Sequence, residues 1–168
     1  MPSRSRYFDL IILGAGITGL SVARQQIHTD SGCKVLIIEK EKKIGLHASG
    51  RNSGVLHSGI YYPSQTLKAK FCSEGGMLMG EYCQEFSLPI NRCGKVIVPK
   101  TVDEDQYLDL LHKRAEVNGA DTRIISKSEL NEIEPEAYSV TSRALYSPNT
   151  SVVDSHSVMK KIMSELIN

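Results

Sequence analysis

The chain has 168 residues, 40% of them hydrophobic and 23% charged, with a net charge of +1. That is chain enough for one globular domain, or one and a fraction, with a real core. The balanced charge argues against a nucleic-acid surface, four cysteines without a CxxC pair argue against a metal site or a disulfide framework, and no apolar run approaches the roughly 20 residues of a membrane span.

Arg4 and Arg6 alternate with Ser3 and Ser5, a transit-peptide composition without its length. The segment before the first apolar run is also too short for a signal peptide, so the expected compartment is the cytoplasm. Phe8 and Leu10-Ile11-Ile12-Leu13 form a nearly continuous apolar run, which predicts a strand buried on both faces of a parallel sheet. Gly14-Ala15-Gly16-Ile17-Thr18-Gly19 follows as a turn, and Ile17, Leu20, Ala23 and Ile27 recur at helical spacing until Asp30-Ser31-Gly32. Lys34 to Glu39 reads as a second buried strand that ends on a carboxylate. Together these make one βαβ unit.

Gly14 permits the tight turn, Gly16 lets backbone approach a pyrophosphate, and Gly19 lets helix and strand pack closely. The helix N-terminus then offers N–H donors to the anion. Glu39 stands where a carboxylate accepts hydrogen bonds from ribose hydroxyls and repels a 2′-phosphate. The strand, the helix and the carboxylate make this a dinucleotide-binding fingerprint, but one that does not separate FAD from NAD. Residues 45–62 follow neither the helical nor the strand period. Their small residues, with His47, Ser49, Arg51, Asn52, Ser53 and His57, suit an ordered loop that cradles a flat ring, which favours a flavin.

Leu67, Phe71, Leu78, Tyr82 and Phe86 then share one face of a helix weakened at Gly75-Gly76. Gly94 to Val98 is a strand stopped by Pro99, and Thr101 with Glu104 predicts a capping box. The next helix turns Leu108, Leu111 and Ala115 inward and ends at Asn118-Gly119. Thr122 to Ile125 and Arg143 to Tyr146 are short strands, with a short helix between them capped by Ser126 and Glu129 and stopped by Pro135. Asp154 or Ser155 caps a last helix. The expected fold class is α/β: a Rossmann-like βαβ unit leading into a mixed α+β lobe, with residues 1–87 belonging to the dinucleotide domain. Residues 88–168 would start a substrate lobe and return toward the first domain.

Four segments carry a family resemblance: HASGRNSGVLHSGIYYP (His47 to Pro63), LKAKFC (Leu67 to Cys72), CGKVIV (Cys93 to Val98) and TSVVD (Thr150 to Asp154). In their order and spacing the chain resembles the FAD-dependent oxidoreductases of the D-amino-acid oxidase and glycerol-3-phosphate dehydrogenase type. Within them it is most similar to the L-2-hydroxyglutarate dehydrogenase/oxidase family. The resemblance implies that Gly14, Gly16 and Gly19 hold the FAD pyrophosphate, Glu39 the adenosine ribose, and that Lys40 lies near the adenine. His47, Ser49, Asn52, Ser53 and Gly54 would border the flavin side, and His57 would lie near the isoalloxazine as the candidate catalytic residue. Arg51 stands where these relatives often carry His, so it inherits no catalytic duty. Val152-Val153-Asp154-Ser155 replaces their usual Ile-Val-Asp-Tyr, which leaves any role of that tyrosine unassigned.

The implied reaction is oxidation of a small 2-hydroxy acid, L-2-hydroxyglutarate above all. A quinone, another electron carrier or oxygen would be the acceptor, and the acceptor could bring the protein to a membrane. Arg51, Lys68 and Lys95 are candidate partners for substrate carboxylates. Members of the family are considerably longer, with later dinucleotide-domain strands, most of a substrate lobe and a C-terminal glycine-rich segment that closes on the flavin. The chain is therefore expected to be an N-terminal portion, truncated relative to the family, that needs a C-terminal partner chain or continuation for turnover. The alternatives are a glycerol-3-phosphate or amino-acid oxidase relative and a non-catalytic split fragment.

Overall fold

The computed structural model describes residues 7–167, so Arg4, Arg6 and their serines lie outside the described residues. In chain order the elements are β1 (Leu10–Leu13), α1 (Ile17–Thr29), β2 (Val35–Ile38), β3 (Val55–Leu56), α2 (Leu67–Glu85), β4 (Ile90–Asn91) and β5 (Lys95–Ile97). They continue as α3 (Val102–Val117), β6 (Arg123–Ser126), α4 (Lys127–Ile133), β7 (Arg143–Ser147), β8 (Ser151–Val153) and α5 (Ser155–Ile167). The chain divides into two compact units, one holding the segment up to Ser53 together with Asp154 onward, the other Gly54–Val153. This division differs from a boundary between residues 87 and 88, because α2 packs on β3 and β4 and so belongs with the residues that follow it. The return of the chain to the first unit comes at α5.

In the first unit, β1 and β2 pair in parallel with Leu10 opposite Val35 and Leu13 opposite Ile38. Helix α1 packs against α5, and Leu20, Ala23, Val158, Met159 and Ile162 are buried there. Arg24 Nε meets Glu165 at 2.6 Å across the helix pair. The expectation that β1 is buried on both faces is not met. Ile11 and Leu13 are 55% and 81% exposed, and Ile38 on β2 is 48% exposed. The physical reason is that among the described residues this sheet has two strands, and α1 lies against both of them. The apolar run is of the kind found in a doubly covered sheet, while one face here is bare.

The second unit contains two antiparallel sheets, with strand orders β3-β8-β4 and β5-β7-β6. Helices α3 and α4 pack on β6 and β7. Ile60, Leu108, Leu111, Ala115, Ala120 and Leu145 form one core cluster, and Ile125, Leu130 and Ala144 a second. Leu108, Leu111 and Ala115 point inward as their spacing predicts. The face of α2 carrying Leu67, Phe71 and Leu78 is exposed instead, and the residues α2 buries are the smaller Ala69 and Cys83.

The Ser126–Glu129 capping box forms in both directions. The Thr101–Glu104 box forms only in half. Thr101 Oγ1 accepts from Glu104 N–H at 3.3 Å, while the Glu104 carboxylate accepts from Lys100 N–H at 2.6 Å rather than from the cap residue. Arg143 forks onto Asp105 and Asp109 at 2.6 and 2.5 Å, tying β7 to α3.

Candidate cofactor site

The glycine turn between β1 and α1 is fixed by its own backbone. Gly14 has φ +106°, a region that favours glycine, and its N–H donates to Ile38 O at 2.7 Å. A Cβ on Gly19 would lie 2.1 Å from Gly14 O, so helix and strand approach as closely as the motif predicts. Helix α1 starts at an N-cap, Gly16, that brings no capping side chain. Ser49 supplies one from the loop: its Oγ accepts from Ile17 N–H at 3.0 Å. The loop is thereby fastened to the helix N-terminus.

Glu39, at the end of β2, accepts from Ala15 N–H at 2.7 Å and from Glu41 N–H at 3.0 Å. The Ala15 bond first, and the Glu41 bond second, hold its carboxyl below the ordinary carboxylate range. The group is therefore ionised, and its oxygens keep further lone pairs for other donors. His47 Nε2 lies 2.9 Å from Glu41 Oε1.

Gly14, Gly16, Glu39, Lys40, His47 and Ser49 all line one cavity of about 520 Å³, together with Gly45 and Leu46. Gly19 lies behind it as a packing residue. Asn52 does not line this cavity; its amide donates to Ala48 O at 3.0 Å and Ser49 O at 2.8 Å, which holds the loop in shape. Ser53 is exposed at the end of the loop. Gly54 belongs to the second unit, where a Cβ would meet Val153 O at 2.1 Å and where its carbonyl accepts from Val153 N–H.

His57 is also in the second unit. It borders a separate cavity of about 520 Å³ with Ser58, Glu74, Glu81 and Arg92. Its ring meets the Tyr61 ring edge-on, with centroids 6.3 Å apart. Loss of solvent, and then the charge of Lys95, push its pKa below the ordinary value, so the imidazole is neutral at neutral pH. Arg51 is exposed. Lys68 Nζ stands 4.6 Å from the Tyr62 ring centroid. Asn118, which the sequence reads only as a helix end, and Arg114, which it does not single out, prove to hold the segment after His57. Asn118 donates to Gly59 O at 2.7 Å and Tyr62 O at 3.0 Å, and Arg114 to Tyr61 O at 3.3 Å. Among the described residues no group of three or more His, Cys, Asp or Glu could hold a metal ion, and no helix is long and apolar enough to cross a membrane.

A family model described as "FAD dependent oxidoreductase", abbreviated DAO, matches residues 9–168. The chain belongs to this family of FAD-dependent oxidoreductases. It is 43% identical over 155 residues to a Caenorhabditis elegans protein named L-2-hydroxyglutarate dehydrogenase, mitochondrial, covering 92% of this chain and 35% of that one. A Homo sapiens protein of the same name is 39% identical over 148 residues, covering 88% of this chain and 32% of the other. The chain thus spans about a third of the length of these relatives.

Among solved structures it is similar to the FAD-bound L-alpha-glycerophosphate oxidase of Mycoplasma pneumoniae, with a TM-score of 0.83 at 23% identity, covering 97% of this chain and 43% of that one. It is also similar to the glycine oxidase of Geobacillus kaustophilus, with a TM-score of 0.84 at 18% identity, covering 97% and 45%. At these identities the likeness speaks for the fold.

FAD is the cofactor of the family, and the first unit fits its adenosine diphosphate end. The left-handed Gly14, the Cβ-free N-cap at Gly16 and the ionised Glu39 face one cavity, and they suit a pyrophosphate beside a ribose.

Proposed function

We propose that this chain supplies the FAD-binding part of an oxidoreductase that converts L-2-hydroxyglutarate to 2-oxoglutarate. The observation that carries this reading is an identity of 39–43% to proteins bearing that enzyme's name, over almost the whole of this chain. The N-terminus of α1 and the turn at Gly14 and Gly16 hold the pyrophosphate, and Glu39 holds the ribose. Lys40 lies toward the adenine. Ser49 and Asn52 keep the following loop in shape, and with Ser53, His47 and Gly54 they border the flavin side. Bound FAD supplies the acceptor for the C2 hydrogen, which leaves the substrate as hydride.

His57 is the base we assign to the substrate hydroxyl, and its neutral imidazole is the form able to take that proton. The bare face of β1 and β2 supports a need for further polypeptide of the family, in the same chain or a partner. We therefore expect little or no turnover from the 168 residues alone. Electrons then pass to a quinone, another carrier or oxygen.

The test is anaerobic reduction. The 168-residue chain, alone and co-expressed with a polypeptide carrying the remaining part of the C. elegans relative, is mixed with FAD and then with L-2-hydroxyglutarate, glycerol 3-phosphate or an amino acid. The expected result is loss of the oxidised flavin band only in the combined protein and only with L-2-hydroxyglutarate. Bleaching by glycerol 3-phosphate or an amino acid instead would overturn the substrate assignment. Bleaching by the chain alone would overturn the need for a continuation.

A further inference from the structure

Lys95 stands in β5, half-buried, and its surroundings differ from those of Arg24, Arg143 and Lys161, whereas half-buried Arg114 likewise meets a backbone carbonyl and a phenol. Arg24, Arg143 and Lys161 each reach a carboxylate within ion-pair distance. Among the described residues no carboxylate lies within that distance of Lys95. Its ammonium instead lies 2.6 Å from the Tyr61 hydroxyl and 4.4 Å from the Tyr61 ring centroid. A cation withdrawn partly from water without a counter-ion is costly, and a phenol compensates it only in part.

The hydrogen-bond chemistry at this pair is one-sided. An ammonium has three donors and no acceptor, so Lys95 donates and the Tyr61 oxygen accepts. The phenol proton is then left to donate elsewhere, and so are the remaining ammonium protons. Two donors, one of them charged, thus stand 2.6 Å apart, which suits a carboxylate. The pair is also held still. Lys95 is registered against Ser147 of β7, and Tyr61 is held through its carbonyl by Arg114. Ile60, beside Tyr61, is buried in the core cluster of α3.

We propose that Lys95 and Tyr61 bind a carboxylate of the substrate, Lys95 by charge and Tyr61 by its hydroxyl, and so hold the 2-hydroxy acid beside His57. This rests on the 2-hydroxy-acid reading of the preceding subsection and adds the residues that recognise the acid. The role is binding and specificity; the proton transfer stays with His57.

The test is a titration of the 168-residue chain with L-2-hydroxyglutarate, followed by NMR of the His57 and Tyr61 ring signals. The parent is compared with Lys95→Met, Lys95→Arg and Tyr61→Phe. Lys113→Met removes an equal charge from an exposed position on α3. Melting temperatures recorded on every variant show that each is folded. The expected result is saturable shifts in the parent, with an affinity lower by about tenfold or more in Lys95→Met and by a smaller factor in Tyr61→Phe. Lys95→Arg and Lys113→Met are expected to stay within roughly twofold of the parent.

Equal losses in Lys95→Met and Lys113→Met would overturn the proposal by reducing it to net charge. An absence of saturable shifts in the folded parent would overturn it as well. Glycerol 3-phosphate forms a separate arm. If it shifts these rings as well as L-2-hydroxyglutarate does, and Lys95→Met abolishes both, the anion pair is supported and the 2-hydroxy-acid reading fails.

Discussion

Replacing Gly19 by valine is expected to abolish flavin binding and to lower the melting temperature. The Cβ alone would stand 2.1 Å from Gly14 O and 3.1 Å from the Ile12 side chain. Neither neighbour can retreat cheaply. Gly14 is tied through its N–H to Ile38 O at 2.7 Å, and Ile12 is paired in register with Ile37. The strain is therefore relieved by lifting α1 from β1, which also opens the turn that presents Gly14 and Gly16 to the cavity. Overpacking of this kind costs about 1–3 kcal/mol, or roughly 2–12 °C for a chain of this size. A thermal melt and quenching of FAD fluorescence check the two parts separately. A valine variant that melts and binds as the parent does would show that the turn does not depend on this contact.

Leu111→Ala is expected to have a comparable or larger effect on stability and none that begins in the glycine turn. Leu111 is 1% exposed and packs in the cluster that includes Ile60, Leu108 and Leu145. Truncating a buried leucine costs about 2–5 kcal/mol, according to how far the surroundings collapse into the cavity. The neighbouring Leu110 is 41% exposed, and its replacement by alanine should change stability by less than about 0.5 kcal/mol. Urea unfolding followed by circular dichroism distinguishes them through the shift in midpoint at constant slope. Because Ile60 belongs to the same cluster, the Leu111 variant should also loosen the Tyr61–Lys95 contact before global unfolding. Equal midpoints for the two variants would contradict the placement of this core.

The parts of the fold that were legible in the sequence are those with a local cause. Gly14, Gly16 and Gly19 predict a turn and a close helix–strand packing because each requirement is met by one residue's lack of a Cβ. Ser126 and Glu129 predict a helix start because the two groups that satisfy each other are three residues apart. The inward face of α3 follows from its period. What was not legible depends on partners far along the chain. Strands β3, β4 and β8 have two, two and three residues, too few to show alternation. Val55 becomes a strand residue only because Val152 lies opposite it.

The two-faced burial expected of β1 fails for a related reason. An apolar run records what a strand can be covered by, not how many layers are present. The candidate site divides in the same way. The glycine turn and Glu39 follow from spacing, and six of the residues named from the sequence line one cavity. The meeting of Lys95 with Tyr61, 34 residues apart, and the clamp of Arg114 and Asn118 on the segment after His57 are tertiary contacts without a local signature.

We propose that the unit built on β1, α1 and β2 binds a flavin dinucleotide. Equilibrium titration of the purified 168-residue chain with FAD, and in parallel with NADP⁺, tests it most directly. Saturable quenching of flavin fluorescence by the parent chain, lost in Gly19→Val and absent for NADP⁺ competition, is the predicted result. No saturable binding of FAD by the folded chain, or displacement of FAD by NADP⁺ at similar concentration, would contradict it.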